Sequence, residues 1–351
     1  MPPTPPSSRC VALLRANAAL SLTPRAPLQA LAGDASCAIF SDALNHASLV
    51  DGCRLAAARG ARVHVYRHGD AAHAAELLAA SRAPRKLVLT DTLFSMDGDF
   101  APLAALAAAA KRHGAALAVD DAHATLVCGA RGEGALPPGV AADVRVGTLS
   151  KAVGAQGGFV ACSRAMKLLL ISTARGQVYS TALPLPTVAA AAAAIKAARD
   201  EPWRCAPAHN RGSVGAATAA KAAPCFAHRA AHARPARRRR EAVWERVRQL
   251  SALTGLACSS PIVSVHVGGE AEALAASVAL LRQGFHVPAI RPPTVPPGTC
   301  RLRVALSAAH SPADVEELAA ALRSCGVLDS ALAHQARTAA QPPALAHASR
   351  L

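Results

Sequence analysis

The sequence predicts an α/β fold built on a mostly parallel, doubly wound sheet. Short apolar runs alternate with helix-like segments along residues 37–162, which is the pattern of parallel strands joined by crossover helices. Polar side chains gather where the predicted strands end, and ligands bind such sheets at the carboxyl ends of the strands. The chain has 351 residues, 52% of them hydrophobic, which is enough to bury a large core.

The regular elements of this sheet begin at residue 37. Strands are predicted from short alternating or wholly apolar runs, and helices from longer runs, two of which close on a glycine. The predicted strands are residues 37–40, 62–66, 86–90, 116–119, 144–147 and 159–162, and the predicted helices are residues 49–59, 71–80, 102–113 and 184–199. Before them, residues 11–20 favour a helix that stops ahead of Pro24.

A second, smaller α/β domain is predicted in the C-terminal third. Helices are expected at residues 241–253, 270–282 and 312–325 and strands at 261–267 and 301–306, with a capping box at Ser311 and Asp314. We divide the chain into an N-terminal segment (1–32), a large domain (33–200), a basic insertion expected to be disordered (201–240), a small domain (241–328) and a flexible tail (329–351).

Charge and composition exclude several classes of protein. The formal net charge is +16, but its densest block, residues 234–240, lies in a low-complexity segment, so we expect no nucleic-acid partner. No uninterrupted apolar run reaches the ~18 residues of a membrane span, so none is predicted. The ten cysteines show no zinc spacing and indicate thiols in a reducing compartment, with no metal site.

The last three residues, Ser349, Arg350 and Leu351, are close to a peroxisomal address. The first residues contain no apolar segment of the secretory type. We therefore expect a peroxisomal protein, or otherwise a cytoplasmic one.

Lys151 is the candidate nucleophile. It follows the strand 144–147, after Thr148 and Ser150 and before Gly154, Gly157 and Gly158. Burial lowers the pKa of a lysine, and a neutral amine can form the Schiff base by which enzymes bind pyridoxal phosphate. A solvent-facing lysine in a glycine-rich turn would give the same local pattern.

Pyridoxal phosphate also needs an anion beside its pyridine nitrogen, a flat group against its ring and donors for its phosphate. Asp120 is the candidate anion, although an aspartate that caps a helix has the same pattern. His46 is the candidate for stacking and proton transfer, although a structural histidine is the alternative. The other candidates are Ser95 and His123 for the ring hydroxyl, Thr148, Ser180 and Thr181 for the phosphate, the last two from a partner subunit, and Arg301 and Arg303 for a substrate carboxylate.

Five blocks of the sequence resemble the α-oxoamine synthases, in the order of that family. They are SDALNHASLVDG, TDTLFSMDGDFAPL, VDDAHATLVCGARGEG, TLSKAVGAQGGFV and IRPPTVPPGTCRLRVALSAAH, and the resemblance covers residues 33–200 and 241–325. It implies the aspartate aminotransferase-like fold type I of pyridoxal-phosphate enzymes and a homodimer with its active site at the subunit interface. It also implies condensation of an amino acid with an acyl-CoA, with loss of CO2.

The last block is most similar to the branch that condenses L-alanine with pimeloyl-CoA, or another pimeloyl thioester, in biotin biosynthesis. A branch of the glycine C-acetyltransferase or serine palmitoyltransferase type, and a non-catalytic partner subunit, remain alternatives. The N-terminal region of the family, with its Gly-Tyr pair, has no counterpart here, so we expect an N-terminally truncated chain.

The resemblance also implies a role for each candidate. Lys151 would form the Schiff base, His46 would stack on the cofactor and Asp120 would pair with its pyridine nitrogen. Ser95 and His123 would bind the ring oxygen and Thr148 the phosphate, while Arg303, Thr294 and Arg291 would contact substrate.

Overall fold

A seven-stranded sheet forms the larger part of the computed structural model, which describes residues 10–14, 32, 34–174, 178–200 and 236–340. Its strands are β1 (Cys10–Leu14), β2 (Cys37–Asp42), β3 (Arg62–Tyr66), β4 (Arg85–Asp91), β5 (Ala116–Asp120), β6 (Val144–Thr148) and β7 (Gly158–Cys162). They lie in the order β1-β7-β6-β5-β4-β2-β3. The five strands from β6 to β3 run parallel, and β7 is antiparallel to β6 and to β1.

Helices cover both faces of this sheet, as a doubly wound fold requires. They are α1 (Ala47–Ala57), α2 (Ala71–Ala80), α3 (Leu103–Arg112), α4 (Arg164–Thr173) and α5 (Leu185–Asp200). Because successive strand residues face opposite sides, Ile39 packs in one core with Leu49 of α1 and Leu170 of α4. Phe40 packs in the other core, with residues of α2 and α3.

A three-stranded antiparallel sheet forms the centre of the smaller part. Its strands are β8 (Ile262–Gly268), β9 (Ala289–Ile290) and β10 (Cys300–Ala305), in the order β8-β10-β9. The helices here are α6 (Ala236–Thr254), α7 (Glu270–Arg282), α8 (Pro312–Ser324) and α9 (Leu328–Ala340). One apolar core joins them, with Leu250, Leu280, Leu302 and Leu322 fully buried in it.

Most predicted elements are confirmed, with ends that shift by one to three residues. The bounds of β3, α2 and α7 are the predicted ones. The capping box is also confirmed. The Ser311 hydroxyl accepts a hydrogen bond from the Asp314 N–H at 3.1 Å, and the Asp314 carboxylate accepts one from the Ser311 N–H at 2.7 Å.

The helix predicted over residues 11–20 is wrong where the structure describes it. Cys10–Leu14 form β1, which pairs antiparallel with β7. A short apolar run has no strong preference of its own, and the otherwise open edge of β7 supplies the backbone partners that make it a strand.

Two helical segments replace stretches expected to be irregular. Helix α6 begins at Ala236, inside the expected insertion, and α9 occupies the start of the expected tail, where Leu328 and Ala331 are buried against the small core. Packing on that core, rather than helix propensity, explains both. The remaining parts, residues 201–235 and 341–351 with the C-terminal tripeptide, lie outside the described residues.

Within the described ranges, none of the helices has the length and apolar character needed to cross a bilayer. The same ranges contain no group of three or more His, Cys, Asp or Glu side chains placed to hold a metal ion.

Candidate active site

The carboxyl ends of the central parallel strands bring the predicted residues to one edge of the large sheet. Asp91 and Asp120 end β4 and β5 and are paired in register, and Asp120 is paired with Val146 of β6. His46 caps α1 just after β2, and Lys151 follows β6.

A closed backbone loop holds Lys151. Leu149 N–H donates to the Gly157 carbonyl at 2.8 Å, Ala155 N–H to Leu149 at 2.7 Å and Gly154 N–H to Lys151 at 3.0 Å. Gly154 and Gly157 have φ of 68° and 117°, a conformation that favours glycine. The glycine tract therefore fixes the backbone that presents the lysine.

Electrostatic interactions place Lys151 beside the other candidates. Although part of its side chain is exposed, the loss of hydration lowers the pKa of Lys151; Asp120 and Asp91 oppose this shift and Arg303 adds to it. Loss of hydration, followed by the charge of Lys151, also lowers the pKa of His46 and brings that of His123 to about 3. Both imidazoles are therefore neutral at pH 7.

The two adjacent aspartates after β5 have different environments. Asp121 is fully buried and paired with Arg145, and it accepts hydrogen bonds from the Thr92 hydroxyl at 2.7 Å and the Ala135 N–H at 3.2 Å. Asp120 accepts one from the Ala122 N–H at 2.9 Å, and burial raises its pKa to about 6. Asp121 is therefore a structural ion-pair partner, whereas Asp120 is the carboxylate that interacts with Lys151.

Asp91 and Asn45 are site residues that the sequence analysis missed. The Asp91 carboxylate accepts from the His46 N–H, and the Asp91 N–H donates to the Asn45 side-chain oxygen, both at 2.8 Å. Burial and the neighbouring Asp120 raise the pKa of Asp91 well above its usual range. Its position at the end of β4, matching that of Asp120 on β5, was the available signal.

A cavity of about 450 Å³ lies between the loops of the large sheet and the small sheet. Lys151 and His123 border it from one side and Arg303 of β10 from the other. The Arg303 Nε is buried and has no hydrogen-bond partner among the described residues. Arg301, two residues earlier on the same strand, is instead paired with Asp97. Of the two arginines, Arg303 is therefore the one presented to the cavity.

The remaining predicted residues do not border this cavity. Ser95 is half-buried in the turn after β4, and the Thr148 hydroxyl lies 2.8 Å from that of Ser150. Arg291 is exposed and paired with Glu270 at 2.8 Å, so its side chain is directed to the surface. Thr294 and Thr181 are exposed and Ser180 is half-buried. His46 and Asp120 do not border the cavity either. The roles of all the predicted site residues stay predictions.

Residues 25–322 match the family described as aminotransferase class I and II. The chain belongs to this family. It is 47% identical over 301 residues to the 8-amino-7-oxononanoate synthase of Arabidopsis thaliana, which covers 85% of this chain and 56% of the relative. It is 47% identical over 291 residues to the enzyme of that name from Anaeromyxobacter dehalogenans, covering 81% of this chain and 64% of the relative. The chain thus spans less than two thirds of these two relatives.

Solved structures agree with the fold. Serine palmitoyltransferase from Sphingomonas wittichii is similar with a TM-score of 0.74 at 28% identity, covering 90% of this chain and 73% of that one. The 8-amino-7-oxononanoate synthase of Francisella tularensis has a TM-score of 0.63 at 20% identity, covering 93% and 83%. Together these relatives confirm the resemblance to the α-oxoamine synthases and the predicted fold type I.

Proposed function

We propose that the protein is a pyridoxal-phosphate-dependent acyltransferase of biotin biosynthesis. It condenses L-alanine with pimeloyl-CoA, or another pimeloyl thioester, and releases CO2 to give 8-amino-7-oxononanoate. The observation on which this rests is Lys151, which has a lowered pKa and interacts electrostatically with Asp120, His46 and His123 at the carboxyl edge of the sheet. The identity of 47% to synthases of that name supports the choice of substrates.

The residues present fit the cofactor. Lys151 offers an amine to the aldehyde of the cofactor. One carboxylate oxygen of Asp120 accepts from the Ala122 N–H, and the other can face the pyridine nitrogen of the cofactor. Thr148 and Ser150 place two hydroxyls together for its phosphate. A serine palmitoyltransferase that was solved with pyridoxal phosphate has a TM-score of 0.72 to this chain at 28% identity. When bound, the cofactor supplies an electron sink for the amino-acid α-carbon.

The side chains of the site have separate tasks in this reaction. The lowered pKa of Lys151 favours the neutral amine that can take a proton from the α-carbon. Asp120 is mostly ionised above pH 6, because its pKa of about 6 lies below physiological pH. His46 presents a neutral, flat ring, and Arg303 is placed to bind the substrate carboxylate as a fork.

We also propose that the protein acts as a homodimer. Apolar side chains are exposed around α4 and the start of α5, among them Leu168, Leu169, Tyr179 and Leu185, the last two 73% and 83% exposed. Such a patch indicates a protein interface. It adjoins Ser180 and Thr181, which are then able to reach the partner's cofactor phosphate. Light scattering on the purified chain tests the dimer.

One spectroscopic experiment tests the cofactor proposal. Purified protein loaded with pyridoxal phosphate should absorb near 420 nm, a wavelength expected from general pyridoxal chemistry (~420 nm). Borohydride should fix the cofactor covalently to Lys151, as peptide mass spectrometry would show, and Lys151→Ala should abolish both signals. Lys111→Ala, at an exposed position of α3, is the control. Absence of the band in the unaltered chain would favour a non-catalytic partner subunit.

Turnover assays separate the possible substrates. Alanine, glycine and serine are offered in turn with pimeloyl-CoA, acetyl-CoA and palmitoyl-CoA, and the ketone product is identified by mass spectrometry. We expect 8-amino-7-oxononanoate from alanine and pimeloyl-CoA. Preference for glycine with acetyl-CoA, or for serine with palmitoyl-CoA, would assign the chain to another branch of the family.

The peroxisomal location stays a proposal based on Ser349, Arg350 and Leu351. Microscopy of a fusion with a fluorescent protein at the N-terminus, with and without these three residues, tests it.

A further inference from the structure

The cavity has a second cationic region besides Arg303. Arg239 and Arg240, at the beginning of α6, line the same cavity as Lys151. The rest of its lining is largely apolar. The apolar side chains come from the segments after β4 and β5, from α6, from β8 and from the residue after β10, namely Leu93, Leu126, Val127, Val243, Ile262 and Leu306.

The backbone of the segment after β5 fixes this second region. The Arg240 guanidinium donates to the Ala130 carbonyl at 3.2 Å. Its charge also contributes to the lowered pKa of Glu133, after the backbone hydrogen bonds to that carboxylate and the charge of Arg131. One turn further along α6, the Trp244 indole N–H donates to the Val127 carbonyl at 3.3 Å. The beginning of α6 is therefore attached to the cavity wall at two points.

The two cationic regions have different neighbours. Arg303 interacts electrostatically with Lys151 and His123, at the end of the cavity where the chemistry is proposed. Arg240 instead contacts Ala130 and interacts with Glu133. A ligand that fills the cavity thus meets the Lys151 amine and the Arg303 guanidinium near its reacting end. The remainder of the ligand meets the apolar wall and the guanidinium pair of α6.

We propose that Arg239 and Arg240 bind the terminal carboxylate of a dicarboxylic acyl substrate, whose methylene chain lies against the apolar wall. The inference rests on the proposed function and adds to it the feature that selects the acyl group. Guanidiniums bind carboxylates through charge-assisted hydrogen bonds, and a methylene chain gains from leaving water. A monocarboxylic acyl group of the same length would place a methyl end against two cations and would be disfavoured.

The phosphates of coenzyme A are a second source of negative charge for the same cations. The terminal carboxylate is favoured because the cations line the same mostly apolar cavity as Lys151. The pantetheine arm of the coenzyme carries amides, which need hydrogen-bond partners, and the apolar side chains of this wall offer none.

The test compares three thioesters of one length: pimeloyl-CoA, its terminal methyl ester and heptanoyl-CoA. Binding to the cofactor-loaded chain is measured by calorimetry, and turnover with alanine is measured separately. The variants are Arg239→Gln, Arg240→Gln and the double variant. Arg248→Gln, an exposed arginine on the same helix that does not line the cavity, is the control.

We expect the double variant to weaken pimeloyl-CoA binding by about 10-fold to 100-fold, the range for a lost charge-assisted hydrogen bond. In the double variant, binding of the methyl ester and of heptanoyl-CoA should change by less than about threefold, which is within the scatter of surface substitutions. In Arg248→Gln, binding of all three thioesters should stay within the same limit. Equal losses for all three thioesters would assign the cations to coenzyme A and overturn the proposal, as would no loss for any of them.

The outcomes distinguish this inference from the proposed function. If no thioester is turned over but pimeloyl-CoA binding depends on Arg239 and Arg240, the function fails and the carboxylate site stands. If 8-amino-7-oxononanoate forms equally well in the double variant, with unchanged binding of pimeloyl-CoA, the function stands and the carboxylate site is excluded.

Discussion

Arg301 of the small sheet is ion-paired with Asp97 of the turn that follows β4. The pair joins the two parts of the chain, and its Arg301 side chain is 7% exposed. Other contacts reinforce it: the His266 ring nitrogen lies 3.7 Å from the Asp97 carboxylate, and the Ser259 hydroxyl donates to the Gly98 carbonyl at 3.0 Å. Because Arg303 is two residues from Arg301, the two side chains lie on the same face of β10.

Breaking this ion pair should destabilise the protein strongly. Arg301→Gln and Asp97→Asn are each expected to lower the free energy of unfolding by about 3 kcal/mol, because each leaves a charge with poor access to water. The double variant should lose less than the sum of the two. Urea denaturation of all four proteins measures this coupling.

The exposed pair of Arg291 with Glu270 is the matched control. Both side chains are 49% exposed, so Arg291→Gln should cost less than about 1 kcal/mol. Fully additive losses for Arg301→Gln and Asp97→Asn would show that the two side chains do not act as a pair.

Site residues that follow a predicted strand closely in the chain could be predicted from the sequence alone. Lys151, Asp120 and His123 each lie within four residues of the end of a predicted strand, so their common position follows from the parallel order of the strands. The partner of Arg301 lies 204 positions away in the chain, at Asp97, and no local pattern distinguishes Arg301 from Arg303. Strand β1 was missed for a similar reason, because it depends on pairing with β7, which is distant in sequence.

Neutralising Asp120 should stabilise the fold while it removes the proposed partner of the cofactor. Burial is the leading cause that raises the pKa of Asp120 from 3.8 to about 6, so the folded state holds its proton more tightly than the unfolded state does. The wild-type protein therefore loses stability as pH rises from about 4 to about 6. Above pH 6, Asp120→Asn should raise the free energy of unfolding by up to about 3 kcal/mol, which is the upper limit for a shift of about two pKa units. Below about pH 4 the substitution should have no effect on stability.

Asp121→Asn is the natural comparison for this prediction. The substitution is the same, but it breaks the buried pair with Arg145 and should cost about 3 kcal/mol. Thermal unfolding of both variants between about pH 3.5 and 7.5 gives the sign of each change (a range of about four pH units that spans the Asp120 transition). A loss of stability in Asp120→Asn above pH 6 would contradict the assigned roles of the two aspartates.

His68 should make stability fall in alkaline solution. Its ring nitrogens lie 2.9 Å from Asp42 and 2.8 Å from Asp99, and its ring packs edge-on against Phe94. Burial lowers the pKa of His68, but the hydrogen bonds to the two carboxylates outweigh it and raise the pKa to about 10. This stabilisation is complete below the unfolded-state pKa of 6.5 and is lost as pH rises toward 10.

Substitution of His68 isolates this effect. Relative to His68→Gln, the wild-type protein should lose at most about 1.4 kcal/mol of stability per pH unit between pH 7 and 9.5. His286→Gln, at an exposed position after α7, should leave the wild-type slope unchanged. Parallel stability curves for the wild type and His68→Gln would mean that His68 is neutral in the folded protein.

Arg303 should contribute to substrate binding at the expense of stability. Its Nε is buried without a partner among the described residues, and loss of hydration lowers its pKa. Arg303→Gln should therefore raise the KM for alanine by about 10-fold to 100-fold, the range for a charge-assisted hydrogen bond, while the free energy of unfolding stays level or rises. Arg303→Lys should give an intermediate KM, since lysine keeps the charge but lacks the fork.

These measurements need a control and a second substrate. Arg282→Gln, on the exposed side of α7, should leave both KM values and the stability unchanged. The KM for the thioester should change little in Arg303→Gln, because the proposed contact is with the carboxylate of the amino acid. An equal rise in both KM values, together with a loss of stability like that of Arg301→Gln, would mean that Arg303 only holds the two sheets together and does not bind alanine.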